Sequence, residues 1–201
     1  MKAASTTALR LCRLRLAGFW RERSGIAATE FAVIVPLMLV LFFGTVEFST
    51  GVAVERKVTL VARTLSDLVS QGATVSDSDF TGFFYAGTLV MSQYAQPPYS
   101  ASTLHATISE LYIDPTTHTA KVQWSTGYAP RSTGSAVTIP SALNVDSTYL
   151  IFSEVSYLYT PTIGYVMAPS GVNLSDVSYT RPRQSTCVVY NAAANSPCPT
   201  N

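Results

Sequence analysis

A single acidic residue, Glu30, interrupts the most apolar part of the chain. It lies within residues 26–46, which carry no other charged side chain. A carboxylate in a membrane-spanning helix costs about 2.5–3.5 kcal/mol at mid-bilayer, and somewhat less near the interface. A helix that served only as an anchor would have no use for this group. Glu30 is therefore predicted to have a cationic partner, unless it lies near enough to the interface to stay hydrated.

Gly25 precedes Glu30 by five positions, at the end of a basic segment. Followed by Phe31, this spacing resembles the processing site of type IV pilins, which implies cleavage after the glycine. Glycine suits such a site because it has no Cβ and lets an extended backbone enter a protease cleft. Cleavage after Gly25 would create an α-amine at Ile26, whose pKa of ~8 would make it mostly cationic at neutral pH. We predict that this amine of one subunit pairs with Glu30 of a neighbour. The pair would offset the desolvation of both charges and fix the axial register.

Residues 26–46 are long enough to cross a bilayer as one helix. At about 1.5 Å per residue this helix is roughly 31 Å long, the thickness of the hydrocarbon core. Residues 1–25 carry six basic and one acidic side chain, whereas residues 26–201 carry seven basic and eleven acidic ones. The positive-inside rule therefore predicts a cytoplasmic leader at 1–25, a transmembrane helix at 26–46 and an extracytoplasmic domain at 47–201.

Two other interpretations of the apolar stretch stay open. It could be a buried core helix, or the apolar part of a secretory signal peptide that is cut near Gly51-Val52-Ala53. Composition narrows the class of protein further. The chain is 47% hydrophobic and 12% charged, which excludes a disordered chain swollen by charge. Its net charge of +1 gives no electrostatic basis for binding nucleic acid.

Residues 24–31, Ser-Gly-Ile-Ala-Ala-Thr-Glu-Phe, resemble the processing site of type IV pilins, and more closely that of the tight-adherence (Flp) pilus class. Residues 32–43 continue with a run similar to that of the TadE-like pseudopilins. Arg181-Pro182-Arg183 is similar to an ending seen in that family. In these families a prepilin peptidase cuts after the glycine at the cytoplasmic membrane face. Phe31 stands where the major Flp subunit has tyrosine, which favours a minor component.

The resemblance implies a structural subunit rather than an enzyme. It implies a minor pseudopilin-like protein of a tight-adherence pilus machine, cleaved between Gly25 and Ile26, with Glu30 and Phe31 as its processing and assembly motif. The implied location is the bacterial inner membrane, with a cytoplasmic N-terminus and a periplasmic C-terminal domain. The implied partners are the prepilin peptidase and other pilins or pseudopilins of the same system, with a separate assembly ATPase.

The sequence after the apolar stretch predicts an α+β, pilin-like fold. The first helix continues as an amphipathic half, because apolar residues recur every three or four positions and Gly72 is a plausible stop. Ser76 and Asp79 predict the start of a second helix, which Pro97-Pro98 would end. Alternating patterns near 104–109, 120–125, 149–159 and 172–180 predict an antiparallel sheet of about four strands. The apolar stripe of the first helix comprises Val54, Val58, Val61, Leu65 and Leu68.

The cysteines fit an exported domain. Cys187 and Cys198 have ten residues between them, and their pairing would close a small loop in an oxidising compartment. A loop of this size contributes about 3 kcal/mol in the loop-entropy model. Cys12 lies in the leader, where a reducing cytoplasm would keep it a thiol.

No motif for catalysis, phosphate binding or zinc binding occurs in the sequence. His105 and His118 are thirteen positions apart on the expected hairpin and are not placed to share a metal. We therefore expect no enzyme activity, cofactor or metal. The alternative function is a signal-anchored extracytoplasmic binding module, with a ligand on a sheet face rich in tyrosine, namely Tyr149, Tyr157 and Tyr159.

Overall fold

The structure is a computed structural model that describes residues 24–92, 104–161, 170–192 and 198–199. The chain divides into two compact units, Met1–Val46 and Glu47–Asn201. A long helix, α1 (Ser24–Ser70), begins in the first unit and ends in the second, and a shorter helix, α2 (Asp77–Val90), follows it. The strands are β1 (Thr74–Val75), β2 (Leu104–Ile113), β3 (Ala120–Gly127), β4 (Ala136–Val137), β5 (Tyr149–Tyr159), β6 (Val172–Thr180) and β7 (Val189–Tyr190).

The predicted fold class is confirmed. A long first helix, a second helix and an antiparallel sheet are all present, and the sheet has five strands in the order β4-β3-β2-β5-β6. The four predicted strands are the long ones, β2, β3, β5 and β6. The fifth, β4, lies within residues 129–147, which gave no strand pattern, and the same segment forms a short 3-10 helix at Ser141–Leu143.

The second half of α1 buries the predicted stripe. Val54, Val58, Val61 and Leu65 are each at most 1% exposed. Leu68, the last predicted member, is only half-buried, and its neighbour Val69 is buried instead. The reason is the helical period of 3.6 residues, which turns the buried face by one position at the end of a long stripe. These side chains share a core with β2, β3 and β5.

The second helix begins as predicted. Ser76 and Asp79 form a reciprocal capping box, in which the Asp79 carboxylate accepts a hydrogen bond of 2.9 Å from the Ser76 backbone N–H. The helix ends at Val90, well before Pro97-Pro98, which lies outside the described residues together with Tyr94. A Cβ at Gly87 would lie 3.2 Å from Val61 Cγ1, so the glycine lets α2 approach α1 closely.

A β-bulge changes the side of the sheet to which the side chains of β3 point. Glu110 of β2 lies opposite Trp124, while the next residue, Leu111, lies opposite Val122. Gln123 is the extra residue between them. Because a bulge shifts the alternation by one position, Trp124 joins the core beneath α1, whereas Val122 joins a second core on the other face of the sheet.

Two leucines of α1 test where the stability of the domain resides. Leu65 is fully buried, whereas Leu60, five positions earlier on the same helix, is 46% exposed. We expect Leu65→Ala to lower the free energy of unfolding by about 2–5 kcal/mol, because it leaves a cavity in the core. The matched variant Leu60→Ala should change it by less than about 0.5 kcal/mol. Urea denaturation of the detergent-solubilised chain measures both, and similar losses would contradict the proposed core.

Candidate functional site

The predicted processing and assembly motif lies in the first turns of α1. Gly25, Ile26, Glu30 and Phe31 are all helical and exposed. A Cβ added at Gly25 would meet no atom within 4 Å. Thr29 Oγ1 donates a hydrogen bond of 2.8 Å to the carbonyl oxygen of Ile26, in the same turn. The predicted cleavage position is therefore free of packing that a substitution would disturb.

Helical geometry sets the distance between the amine that cleavage after Gly25 would create at Ile26 and the Glu30 carboxylate. Ile26 and Glu30 are four positions apart, so they lie on one face and about 6 Å apart along the helix axis. An amine on a neighbouring, parallel helix would meet Glu30 when the two helices are offset by about this rise. The motif can thus specify an axial stagger between subunits, which an apolar surface alone cannot do.

The rest of α1 in the first unit presents an almost continuous apolar surface. The helix is long and apolar enough to cross a membrane, which is compatible with a single-pass anchor. Pro36 lies within it without ending it. An exposed apolar surface of this size on a water-soluble monomer would be very unusual, so it indicates contact with lipid or with other helices. Its largest exposed side chains include Val33, Ile34, Leu37, Met38, Leu39, Val40, Leu41 and Phe42.

The tyrosines proposed as a ligand face do not form one, and this part of the alternative function is wrong. Tyr149 and Tyr157 are only 5% and 6% exposed. Tyr159 is half-buried, and its hydroxyl donates a hydrogen bond of 3.0 Å to the Glu47 carboxylate at the start of the second unit. The alternation in β5 places these three side chains on the face of the sheet that is covered by the rest of the domain, so they are not open to a ligand.

The two histidines have separate environments, as the sequence suggested. The His105 ring of β2 stacks on Tyr128 with 3.6 Å between the ring centroids. His118 lies in the turn after β2, where its Nδ1 is 2.7 Å from the Asp146 carboxylate. Within residues 24–92, 104–161, 170–192 and 198–199, no group of three or more histidine, cysteine or acidic side chains is arranged to hold a metal ion.

The C-terminal region carries a disulfide between Cys187 and Cys198, with a Cα–Cα distance of 5.8 Å. Cys187 is buried against Tyr149 and Val189. The Tyr149 hydroxyl donates a hydrogen bond of 3.0 Å to the carbonyl oxygen of Pro199, which follows the second cysteine. The disulfide therefore joins two segments, one at Cys187 and one at Cys198, that both contact Tyr149 of the sheet.

Glu110 is the functional candidate that the sequence analysis missed. Its side chain is fully buried, although it is acidic. A signal was present, because apolar residues at 104, 106 and 108 place position 110 on the covered face of β2. Burial raises the pKa of Glu110 to about 8, although hydrogen bonds from Val188 and Trp124 oppose the shift. A carboxyl group that stays neutral at pH 7 is thus built into the core.

Comparison with known proteins finds a similarity in the first helix. Residues 25–67 match the family model described as TadE-like protein, which is 43 of the 201 residues. No match to the chain was found among curated proteins, and none was found among solved structures. The matched segment begins at Gly25 and contains Glu30, Phe31 and most of the buried stripe of α1. The resemblance found in the sequence is therefore confirmed for this segment: residues 25–67 are similar to the TadE-like family.

Proposed function

We propose that the chain is a minor pseudopilin-like structural subunit of a tight-adherence (Flp) pilus assembly machine, rather than an enzyme. The observation that carries this proposal is the family match, which starts at Gly25 and covers the exposed apolar part of α1. A subunit of this kind needs a processing site, a membrane segment that can join other helices, and a folded domain. The chain supplies a candidate for each.

In this proposal a prepilin peptidase removes residues 1–25 at the cytoplasmic face of the inner membrane. The new amine at Ile26 then pairs with Glu30 of another pilin or pseudopilin of the same system. Two opposite charges in an apolar medium stabilise each other only when they meet closely, so the pair selects one stagger of the helices. Around that pair, the exposed apolar side chains of α1 exchange lipid contacts for contacts with neighbouring helices.

The proposed topology follows from charge. Residues 1–25 hold six of the thirteen basic side chains, and this excess keeps the N-terminus in the cytoplasm. The second unit, Glu47–Asn201, then lies in the periplasm, where the disulfide between Cys187 and Cys198 is stable. The subunit carries no proposed site for nucleotide or nucleic acid, and a separate ATPase of the machine would supply the energy for assembly.

N-terminal sequencing of the protein from cells that express the prepilin peptidase tests the proposal. We expect the mature chain to begin at Ile26, and the same protein from cells without the peptidase to begin at Met1. A mature chain that begins at Val54 would instead indicate a secreted domain released by signal peptidase. Retention of Met1 in cells with an active peptidase would contradict the proposed maturation and leave a plain membrane-tethered domain.

A further inference from the structure

Residues 183–191, which we call the strap, run from the end of α1 to the start of α2. The Arg183 N–H donates a hydrogen bond of 2.9 Å to the carbonyl oxygen of Ser70, the last residue of α1. Its guanidinium forms an ion pair with Asp67. Further along, β7 pairs in parallel with β1, but this ladder is only two residues long. The strap thus lies across the domain with few backbone hydrogen bonds of its own.

The centre of the strap is held by side chains of the sheet. The Val188 N–H donates a hydrogen bond of 2.6 Å to Glu110 Oε1. The Trp124 indole N–H donates one of 2.8 Å to the carbonyl oxygen of Val188. Glu110 and Trp124 are cross-strand partners on β2 and β3, so they form one slot that satisfies both backbone groups of a single buried residue.

We propose that the strap is a releasable cover, fastened at the Glu110–Trp124 slot and at the disulfide between Cys187 and Cys198. The strap opens when both fastenings are lost, and the rest of the domain stays folded. This regulatory device is independent of the proposed role in pilus assembly, because none of its residues belongs to the first unit.

Glu110 is suited to act as a pH-sensitive fastening. Within the described residues its second oxygen, Oε2, has no hydrogen-bond partner, and all four ion pairs found there involve other residues. The titratable groups on its side of the sheet include four phenols: Tyr112 of β2, Tyr149 and Tyr157 of β5, and Tyr190 of the strap. Burial, with Glu110 adding to the shift, raises the pKa of Tyr149 to about 12. The charged groups that hold the ends of the strap are engaged elsewhere, because Arg183 pairs with Asp67 and Asp77 accepts a hydrogen bond from Tyr190. Among the residues that the structure describes, no cation is therefore paired with Glu110 to stabilise its ionised form.

The sign of the pH effect follows from the raised pKa. Once the strap has opened, Glu110 meets water and returns to its ordinary pKa of 4.5, whereas in the closed form its pKa is about 8. Between these values the closed form holds one more proton than the open form. Closure is therefore strongest below pH 4.5 and weakens about tenfold per pH unit until pH 8, above which both forms are ionised and the effect ends.

Of the segments that surround Glu110, the strap can separate from the sheet most easily. β2 is paired along its length with β3 on one side and with β5 on the other. β7, in contrast, has two paired residues. Lifting the central part of the strap breaks the slot, the backbone bonds of Val189 and Asn191 to β1 and its flank, and the side-chain bonds to Asp77. Displacing β2 would break two full ladders, so water reaches an ionised Glu110 more readily by lifting the strap. Opening would also expose Trp124 and Phe80, which pack on Tyr190 of the strap with 5.4 and 5.6 Å between ring centroids.

Hydrogen exchange of the full chain in detergent micelles, read by mass spectrometry on peptides covering 184–192, tests the proposal. Rates are corrected for the intrinsic effect of pH. Without the disulfide, after reduction, we expect opening to increase about tenfold per unit between pH 5.5 and 7.5. With the disulfide intact, opening should be about a hundredfold rarer at each pH. The peptides of β2 and β5 should keep their protection throughout.

Glu110→Gln keeps the shape and the acceptor oxygen but cannot ionise, so its opening should not depend on pH. Glu154→Gln is the matched control, because Glu154 lies in β5 and pairs with Arg131 at 2.7 Å; this variant should behave like the wild type. A reduced wild type without pH dependence, or an unchanged slope in Glu110→Gln, would overturn the proposal. If Glu110→Gln does not fold, Trp124 emission of a Trp20→Phe chain decides: a red shift on reduction at pH 8 supports the proposal, and an unchanged spectrum contradicts it.

Discussion

Gly25→Val is expected to remain uncleaved in cells that contain the prepilin peptidase, so that the full-length chain accumulates in the membrane. Valine carries a branched Cβ, which an extended backbone in a narrow protease cleft cannot accommodate as glycine does. The same substitution leaves the folded protein undisturbed, because a Cβ at position 25 would have no atom within 4 Å. An immunoblot that resolves the loss of residues 1–25 measures the outcome.

Gly44 offers a matched control for this experiment. It lies in the same helix and in the same unit, and a Cβ at this position would also meet no atom within 4 Å. Gly44→Val should therefore insert and be cleaved like the wild type. If both variants were cleaved normally, Gly25 would not be the processing position. If neither were cleaved, the effect would arise from the helix rather than from the peptidase cleft.

Much of the fold could be predicted because the decisive patterns are local. The period of α1, the capping box at Ser76 and Asp79, and the alternation in β2, β3, β5 and β6 each depend on residues close in sequence. The features that could not be predicted depend on distant contacts. β4 is two residues long and exists only because it lies beside β3.

The sequence shows which residues of β5 share a face of the sheet, but not whether that face is buried. Alternation groups Tyr149, Tyr157 and Tyr159 on one side of β5, yet it does not state whether that side is covered or open. The structure shows α1 packed on it. The bulge at Gln123 likewise cannot be read from the pattern of β3, although it carries Trp124 into the core and hence creates the slot with Glu110.

The predicted processing motif, in contrast, rests on a few consecutive residues, and it stays a prediction. Gly25 and Glu30 stand out by type and spacing alone, and the helix brings them within two turns of each other. What neither the sequence nor a single subunit contains is the partner. In the proposed pairing, the amine that meets Glu30 belongs to a second, cleaved chain, so a test of the role of Glu30 requires the assembled subunits.

Glu30→Ala is expected to insert and to be cleaved, but to fail in co-assembly with the other subunits of the system. Removing one member of a buried charge pair leaves the other uncompensated, at a cost of about 3–5 kcal/mol. This corresponds to a loss of roughly a hundredfold to a few thousandfold in the association of a subunit. Glu30→Gln should show a similar loss, because the amide keeps the size of the side chain but not its charge.

Co-purification of the tagged variants with other pilins or pseudopilins from membranes, after confirmation of the Ile26 N-terminus, measures the association. Val33→Leu serves as the control: Val33 is 75% exposed on the same helix and lies outside the predicted motif, and leucine keeps the position apolar. The loss should be confined to the two Glu30 variants. If association needed only apolar contacts, removal of the acid would be tolerated and would strengthen binding. Normal or improved association of Glu30→Ala would thus show that the carboxylate has no cationic partner.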